Sequence, residues 1–154
     1  MQKNYTSLGL MSGTSGDGVD ASIIKSNGID QFEPIKDKYF EYDSKIYKKI
    51  HSLKKEIHSL KDLDKFSEDI KELERKITLF HAKIIKDLEF HYDENDLIGF
   101  HGQTIYHNSD QKTSIQLGDS RLLYQLIKKK IIYNFRKNDL LNGGEGAPLT
   151  PVSY

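Results

Sequence analysis

Leu63, Phe66, Ile70, Leu73, Ile77, Phe80, Ile84 and Leu88 recur at steps of three and four through an otherwise charged stretch. That spacing puts them on one face of an amphipathic helix beginning at Asp62 or Leu63. The seam stops near Glu89, too soon for a coiled coil, so the face predicts core packing. A helix of this kind needs a surface to lie on, and the chain on either side supplies strands. Residues 5–11, 19–25 and 32–42 read as a three-strand meander with Gly28 in the second turn. Ser44 is the expected N-cap of a helix running to about His58. Beyond the long helix, residues 97–100 read as a strand that breaks at Gly102, and residues 113–117 as another. Asp119 or Ser120 caps a helix to about Lys129, with Lys128 to Lys130 suited to its negative end. "IIYNF" is the last strand. The order is three strands, helix, strand, hairpin, helix, strand. It predicts an α/β domain with a mixed sheet, its first three strands antiparallel and later ones parallel, with helices packed on the sheet.

The turn between the first two strands is unusual. "GLMSGTSGDGVD", Gly9 to Asp20, crowds glycines, hydroxyls and carboxylates together straight after an apolar run. Glycines let the backbone approach a ligand, and successive N–H groups in such a turn form an anion-binding nest. Ser12, Thr14 and Ser15 add hydroxyls, while Asp17 and Asp20 are oxygen ligands of the kind Mg²⁺ prefers. No Gly-Lys-Ser/Thr follows, and no helix follows, so neither the Walker pattern nor the dinucleotide fingerprint applies. A plain hairpin turn uses the same residue types and stays open on composition alone.

Charge and cysteine usage narrow the function classes. Lys plus Arg and Asp plus Glu number 23 each, so the formal net charge is zero and no basic excess points to nucleic acid. Lysines cluster at Lys45 to Lys61 and Lys128 to Lys130, but acidic residues offset them, which reads as solvated faces. The absence of cysteine excludes disulfides and thiolate metal sites. No apolar run approaches the ~20 residues that span a bilayer, and the N-terminus has no signal-peptide core. The expectation is a soluble, cytoplasmic protein without a membrane or nucleic-acid partner. His51, His58, His81 and His91 share no ligand spacing, so no zinc site is assigned.

Four separated segments then point one way. "GLMSGTSGDGVD", "GFHGQTIYH", "QLGD" and "NFRKNDLLNGGEGAPLTP" resemble, in order, the segments of the anhydro-N-acetylmuramic acid kinases. The resemblance covers essentially the whole chain, with the helical middle least diagnostic. The element order is also similar to the ribonuclease-H-like half-domain of the sugar kinase and actin-like ATPase superfamily, whose first hairpin turn holds nucleotide phosphates.

The resemblance implies an enzyme that opens 1,6-anhydro-N-acetylmuramic acid with water. It then phosphorylates O6 from ATP, giving N-acetylmuramic acid 6-phosphate in cell-wall recycling. Ser12, Gly13, Thr14, Ser15, Gly16 and Asp17 would receive the ATP phosphates, with Asp17 near Mg²⁺. The attacking water needs a carboxylate base. The resemblance offers two family positions, the Asp before Phe-Arg and the Asp five residues later. The first is Asn134 here, an amide that is no base, so the retained Asp139 would take that role. Arg136 would orient the sugar or its lactyl carboxylate. Asp20, His101, Gln103, Thr104 and Gly144 complete the implied sugar contacts. Blander roles remain open for several: His101 as a packed strand-end histidine, Asp119 as a helix cap, and Gly143, Gly144 and Gly146 as turn residues. His107 and Glu145 are expected at the surface.

Kinases of this superfamily close two lobes on ATP. Residues 1–154 would be the N-terminal lobe alone, unable to turn over without the second, and a full-length member would pair as a homodimer. A non-catalytic sugar-binding remnant is the alternative, favoured by Asn134.

Overall fold

The structure, a computed structural model, describes residues 4–27, 29–88 and 96–133. In chain order its elements are β1 (Tyr5–Met11), β2 (Gly18–Ser26), β3 (Phe32–Glu41), α1 (Ser44–Glu56), α2 (Leu60–Lys65), α3 (Ser67–Asp87), β4 (Leu97–Phe100), β5 (Gln103–Asn108), β6 (Thr113–Leu117), α4 (Ser120–Ile127) and β7 (Ile131–Tyr133). Leu8 and Leu10 on β1 and Ile98 and Phe100 on β4 are essentially fully buried, each with half-buried neighbours, as central strands require. The larger sheet runs β3-β2-β1-β4-β7. β1 pairs antiparallel with β2, from Tyr5 opposite Ser26 to Met11 opposite Asp20. β2 pairs antiparallel with β3 through a bulge at Ile23/Ile24, beside Pro34 on the edge strand, where proline is tolerated. β4 lies parallel to β1, and β7 parallel to β4. The mixed sheet, antiparallel first and parallel later, is therefore as expected, and β5 and β6 form the separate hairpin.

Expectations shift at the helix ends. The N-cap of α1 is Asp43, not Ser44. Its extended backbone lets the carboxylate accept from the Ile46 N–H at 2.9 Å, so Ser44 is already helical. The helix ends at Glu56, because Ile57 turns extended and buries its side chain. The long helix starts earlier, at Leu60, where Asp62 accepts from the N–H groups of His58 and Ser59, and it is interrupted at Phe66. At the other end of the chain, α4 stops at Ile127 because Lys128 adopts a left-handed φ of 60°.

The core lies between the sheet and the helices. α1 contributes Ile46, Ile50 and Leu53, and α3 contributes Leu73, Ile77, Ile84 and Ile85. The apolar stripe is real but graded: Leu63, Phe66 and Ile70 are half-buried, while Leu73 and Ile77 are fully enclosed. Among the described residues, no helix is long and apolar enough to cross a membrane.

Candidate functional site

Parallel pairing brings the carboxyl ends of β1 and β4 side by side. The ladder continues past β4, with the His101 N–H donating to the Leu10 carbonyl at 3.2 Å. Two otherwise distant segments, Ser12–Asp17 and His101–Thr104, therefore leave the sheet as neighbours. The carboxyl ends of adjacent parallel strands are where open α/β sheets bind ligands.

The turn after β1 folds back on itself, with the Gly16 N–H donating to the Gly13 carbonyl at 3.2 Å. Gly16 has φ +72°, and a Cβ there would stand 2.8 Å from Cγ2 of Ile50 on α1. Only glycine fits both the dihedral and the space. The Asp17 carbonyl accepts from the Tyr42 N–H at 2.9 Å, tying the far end of the turn to the start of α1. Gly13, Thr14, Ser15 and Asp17 are left exposed, whereas Ser12 and Gly16 are buried.

A side-chain relay joins the turn to the second segment. The Tyr42 hydroxyl donates to Oε1 of Gln103 at 3.1 Å, so it accepts from the Ser12 hydroxyl, also at 3.1 Å. Nε2 of Gln103 donates back to the Gly13 carbonyl at 3.0 Å and to its neighbour Thr104's carbonyl at 3.2 Å. Ser12, Tyr42 and Gln103 are all buried, so the relay is shielded from water and each polar atom is satisfied. Burial holds the Tyr42 phenol well above its ordinary pKa, opposed by the hydrogen bond from Ser12, so it remains a donor.

Beyond Gln103 the segment is buried as well. His101 is enclosed, and its Nδ1–H donates to the Gly102 carbonyl at 2.8 Å. Gly102 has φ +77°, and a Cβ would lie 2.5 Å from the Leu117 carbonyl oxygen. Thr104 Oγ1 accepts from Nε2 of Gln116 at 3.2 Å. The Gln-Leu-Gly-Asp segment runs from the end of β6 into a loop held by α3: Glu74 accepts from the Gly118 N–H at 3.2 Å, and Thr78 Oγ1 from the Asp119 N–H at 2.9 Å. Asp119 in turn caps α4, accepting from Leu122 N at 3.0 Å. Tyr133 stacks on Phe100 at 5.4 Å. Its phenol is pushed up to about 12, first by burial and then by the Glu74 and Asp119 carboxylates.

The glycine-rich turn and the His-Gly-Gln-Thr segment thus meet at one sheet end. The model of the anhydro-N-acetylmuramic acid kinase family matches residues 5–154. The chain belongs to this family. It is 60% identical over its whole length to a protein named anhydro-N-acetylmuramic acid kinase from Pelagibacter ubique. Over 97% and 96% of the chain, respectively, it is 37% and 38% identical to proteins of the same name from Agrobacterium fabrum and Gluconobacter oxydans. The chain spans 41% of the length of the first of these relatives.

Each expected kinase site residue now has a position or lies outside the described part. Ser12 faces the relay, Gly16 is packed on α1, and Gly13, Thr14, Ser15 and Asp17 form the exposed rim. Asp20 is exposed on β2 opposite Met11. His101, Gln103 and Thr104 are buried beside the turn. Arg136, Asp139 and Gly144 fall outside the described residues, as do Asn134, Gly143, Glu145, Gly146 and His91. His107 is exposed and Asp119 caps its helix, both as weighed from sequence. Among the described residues no group of three or more His, Cys, Asp or Glu gathers around a metal position. Sequence reading missed Tyr42, Glu74 and Thr78. They lie far from the turn along the chain and belong to no local pattern, so only the packing of α1 and α3 reveals them.

Proposed function

We propose that the protein opens 1,6-anhydro-N-acetylmuramic acid with water and phosphorylates the freed O6 from ATP, giving N-acetylmuramic acid 6-phosphate for peptidoglycan recycling in the cytoplasm. Residues 1–154 form its N-terminal lobe, a ribonuclease-H-like half-domain that a second lobe closes upon. The sheet order β3-β2-β1-β4-β7, with antiparallel strands first, supports that fold reading. The observation that carries the function is the Gln103 relay, which holds the glycine-rich turn against the segment that would meet the sugar.

The chain's own residues divide the work. The rim of Gly13, Thr14 and Ser15, with Ser12 and Gly16 setting its shape, receives the ATP phosphates through backbone and hydroxyl donors. Gly16 packs closely on Ile50 and leaves Gly13, Thr14 and Ser15 exposed to a polyphosphate, and the exposed Asp17 carboxylate suits a hard cation. Asp17 would hold Mg²⁺, which when bound neutralises charge on the transferred phosphoryl group. His101, Gln103, Thr104, Asp20 and Gly144 hold the sugar, and Arg136 its lactyl carboxylate. Asp139 takes a proton from water as the oxygen attacks the anomeric carbon. The C1–O6 bond breaks, O6 keeps the electron pair and attacks the γ-phosphorus, and ADP leaves.

Incubating the intact protein with the anhydro sugar, MgATP and ¹⁸O-water tests this. The expected product carries ¹⁸O at C1 and phosphate on O6, and Asp139→Asn lowers turnover by about 10³-fold or more. Sugar binding indifferent to ATP and Mg²⁺, without phosphoryl transfer, would establish the sugar-binding alternative that Asn134 favours.

A further inference from the structure

Helix α1 does more than support the turn from beneath. Ile50, His51 and Lys54 come from one face of it and all meet the turn. Ile50 fills the space under Gly16, and Nε2 of His51 lies 4.0 Å from the Asp17 carboxylate. The Lys54 ammonium donates to the Thr14 carbonyl on the exposed rim. Lys54 stands in the last turn of α1, where a lysine ordinarily faces its own helix's carbonyl end or solvent. Here it crosses to the tip of a turn forty residues earlier in the chain. Among the described residues no carboxylate pairs with it.

We propose that Lys54 is a polyphosphate-contacting residue of this turn. The inference rests on the phosphate reading of Ser12–Asp17 given above. An ammonium has three N–H donors, and Thr14 uses one, which leaves two for a phosphate oxygen. The need is electrostatic. The rim residues Gly13, Thr14 and Ser15 carry no charge, and Asp17 carries the wrong sign for an anion. The Mg²⁺ that Asp17 would hold offsets that carboxylate but leaves the Gly13–Ser15 rim itself without a charge, and Lys54 is the cationic side chain hydrogen-bonded to it. The Thr14 bond also restricts a flexible four-carbon side chain before the ligand arrives, so less freedom is lost on binding.

The test measures MgATP affinity of the intact protein by calorimetry at low and high salt, for wild type, Lys54→Met and Lys54→Arg. The anhydro sugar serves as the control ligand. Lys54→Met is expected to bind MgATP about ten-fold more weakly, the loss of one charge-assisted hydrogen bond, and with a flatter salt dependence. Lys54→Arg recovers most of the affinity. Sugar affinity and the melting temperature without ligand stay at wild-type values. Lys54→Met binding MgATP like wild type would overturn the proposal and leave the phosphate reading intact. Equal loss in both variants with a lowered melting temperature would also overturn it, reducing Lys54 to a tether. If wild type binds no MgATP, the phosphate reading itself falls and this inference with it.

Discussion

Gly16 shows how one residue fixes the shape of a site. Its φ of +72° lies where side chains are disfavoured, and the missing Cβ is the space that Ile50 occupies, at 2.8 Å. Gly16→Ala therefore strains the backbone and pushes α1 away at once. We expect a loss of about 2–3 kcal/mol in unfolding free energy, since left-handed backbone and overpacking each cost about 1 kcal/mol or more. On the proposed role of this turn in receiving ATP phosphates, MgATP affinity should fall more than the stability change alone explains, because the rim residues move with Gly16. Chemical denaturation beside nucleotide titration checks this, and an alanine variant with wild-type stability would show that the turn has another conformation. The need for glycines in this stretch was legible from sequence. Which glycine carried the constraint was not, because it depends on a side chain from a helix that begins later in the chain.

At the scale of elements, the sequence displayed each strand of the large sheet because alternation and apolar runs are local signals. The helix boundaries moved because capping is decided by which side chain reaches the free N–H groups. Asp43 and Ser44 are both good N-caps, and the extended backbone at Asp43 selects it. The contacts that organise the site are non-local and carry no such pattern. Thr78 is the clearest case, sitting inside an α3 face that reads as plain core. It is fully buried, donates to the Glu74 carbonyl at 2.7 Å and accepts from the Asp119 N–H at 2.9 Å. Thr78→Val keeps the volume and removes the acceptor. The expected cost is about 1–2 kcal/mol from an unsatisfied N–H. Thr78→Ser should recover part of it, because it restores the hydroxyl. Hydrogen exchange at Asp119 and Leu122 should accelerate in the valine variant, since α4 is capped through the same loop. Unchanged protection at both amides would mean that α3 does not hold this loop.

The whole molecule has a pH dependence written into its core. His81 lies on α3 with no exposed surface, edge-on to Phe100 at 4.9 Å. Its Nδ1–H donates to the Ile77 carbonyl at 2.7 Å, while Nε2 is buried without a hydrogen-bond partner. A second proton would place a cation between α3 and the sheet. Burial therefore lowers its pKa from 6.5 to about 4; the Ile77 hydrogen bond opposes this and the nearby His101 adds to it. The unfolded chain binds this proton near pH 6.5 and the folded one only near pH 4, so stability is full above about pH 6.5. It falls as pH drops from there to about 4, by roughly 3 kcal/mol in all. His81→Leu removes the group. Denaturant unfolding from pH 7 to pH 4 should show the wild type losing stability faster than this variant, with the gap opening below pH 6.5. The variant's own fall reports the remaining carboxylates and histidines, Asp62 among them, so the difference between the two curves isolates His81. Parallel curves would mean that the folded protein accepts the second proton, and hence that water or a polar partner reaches Nε2 in solution.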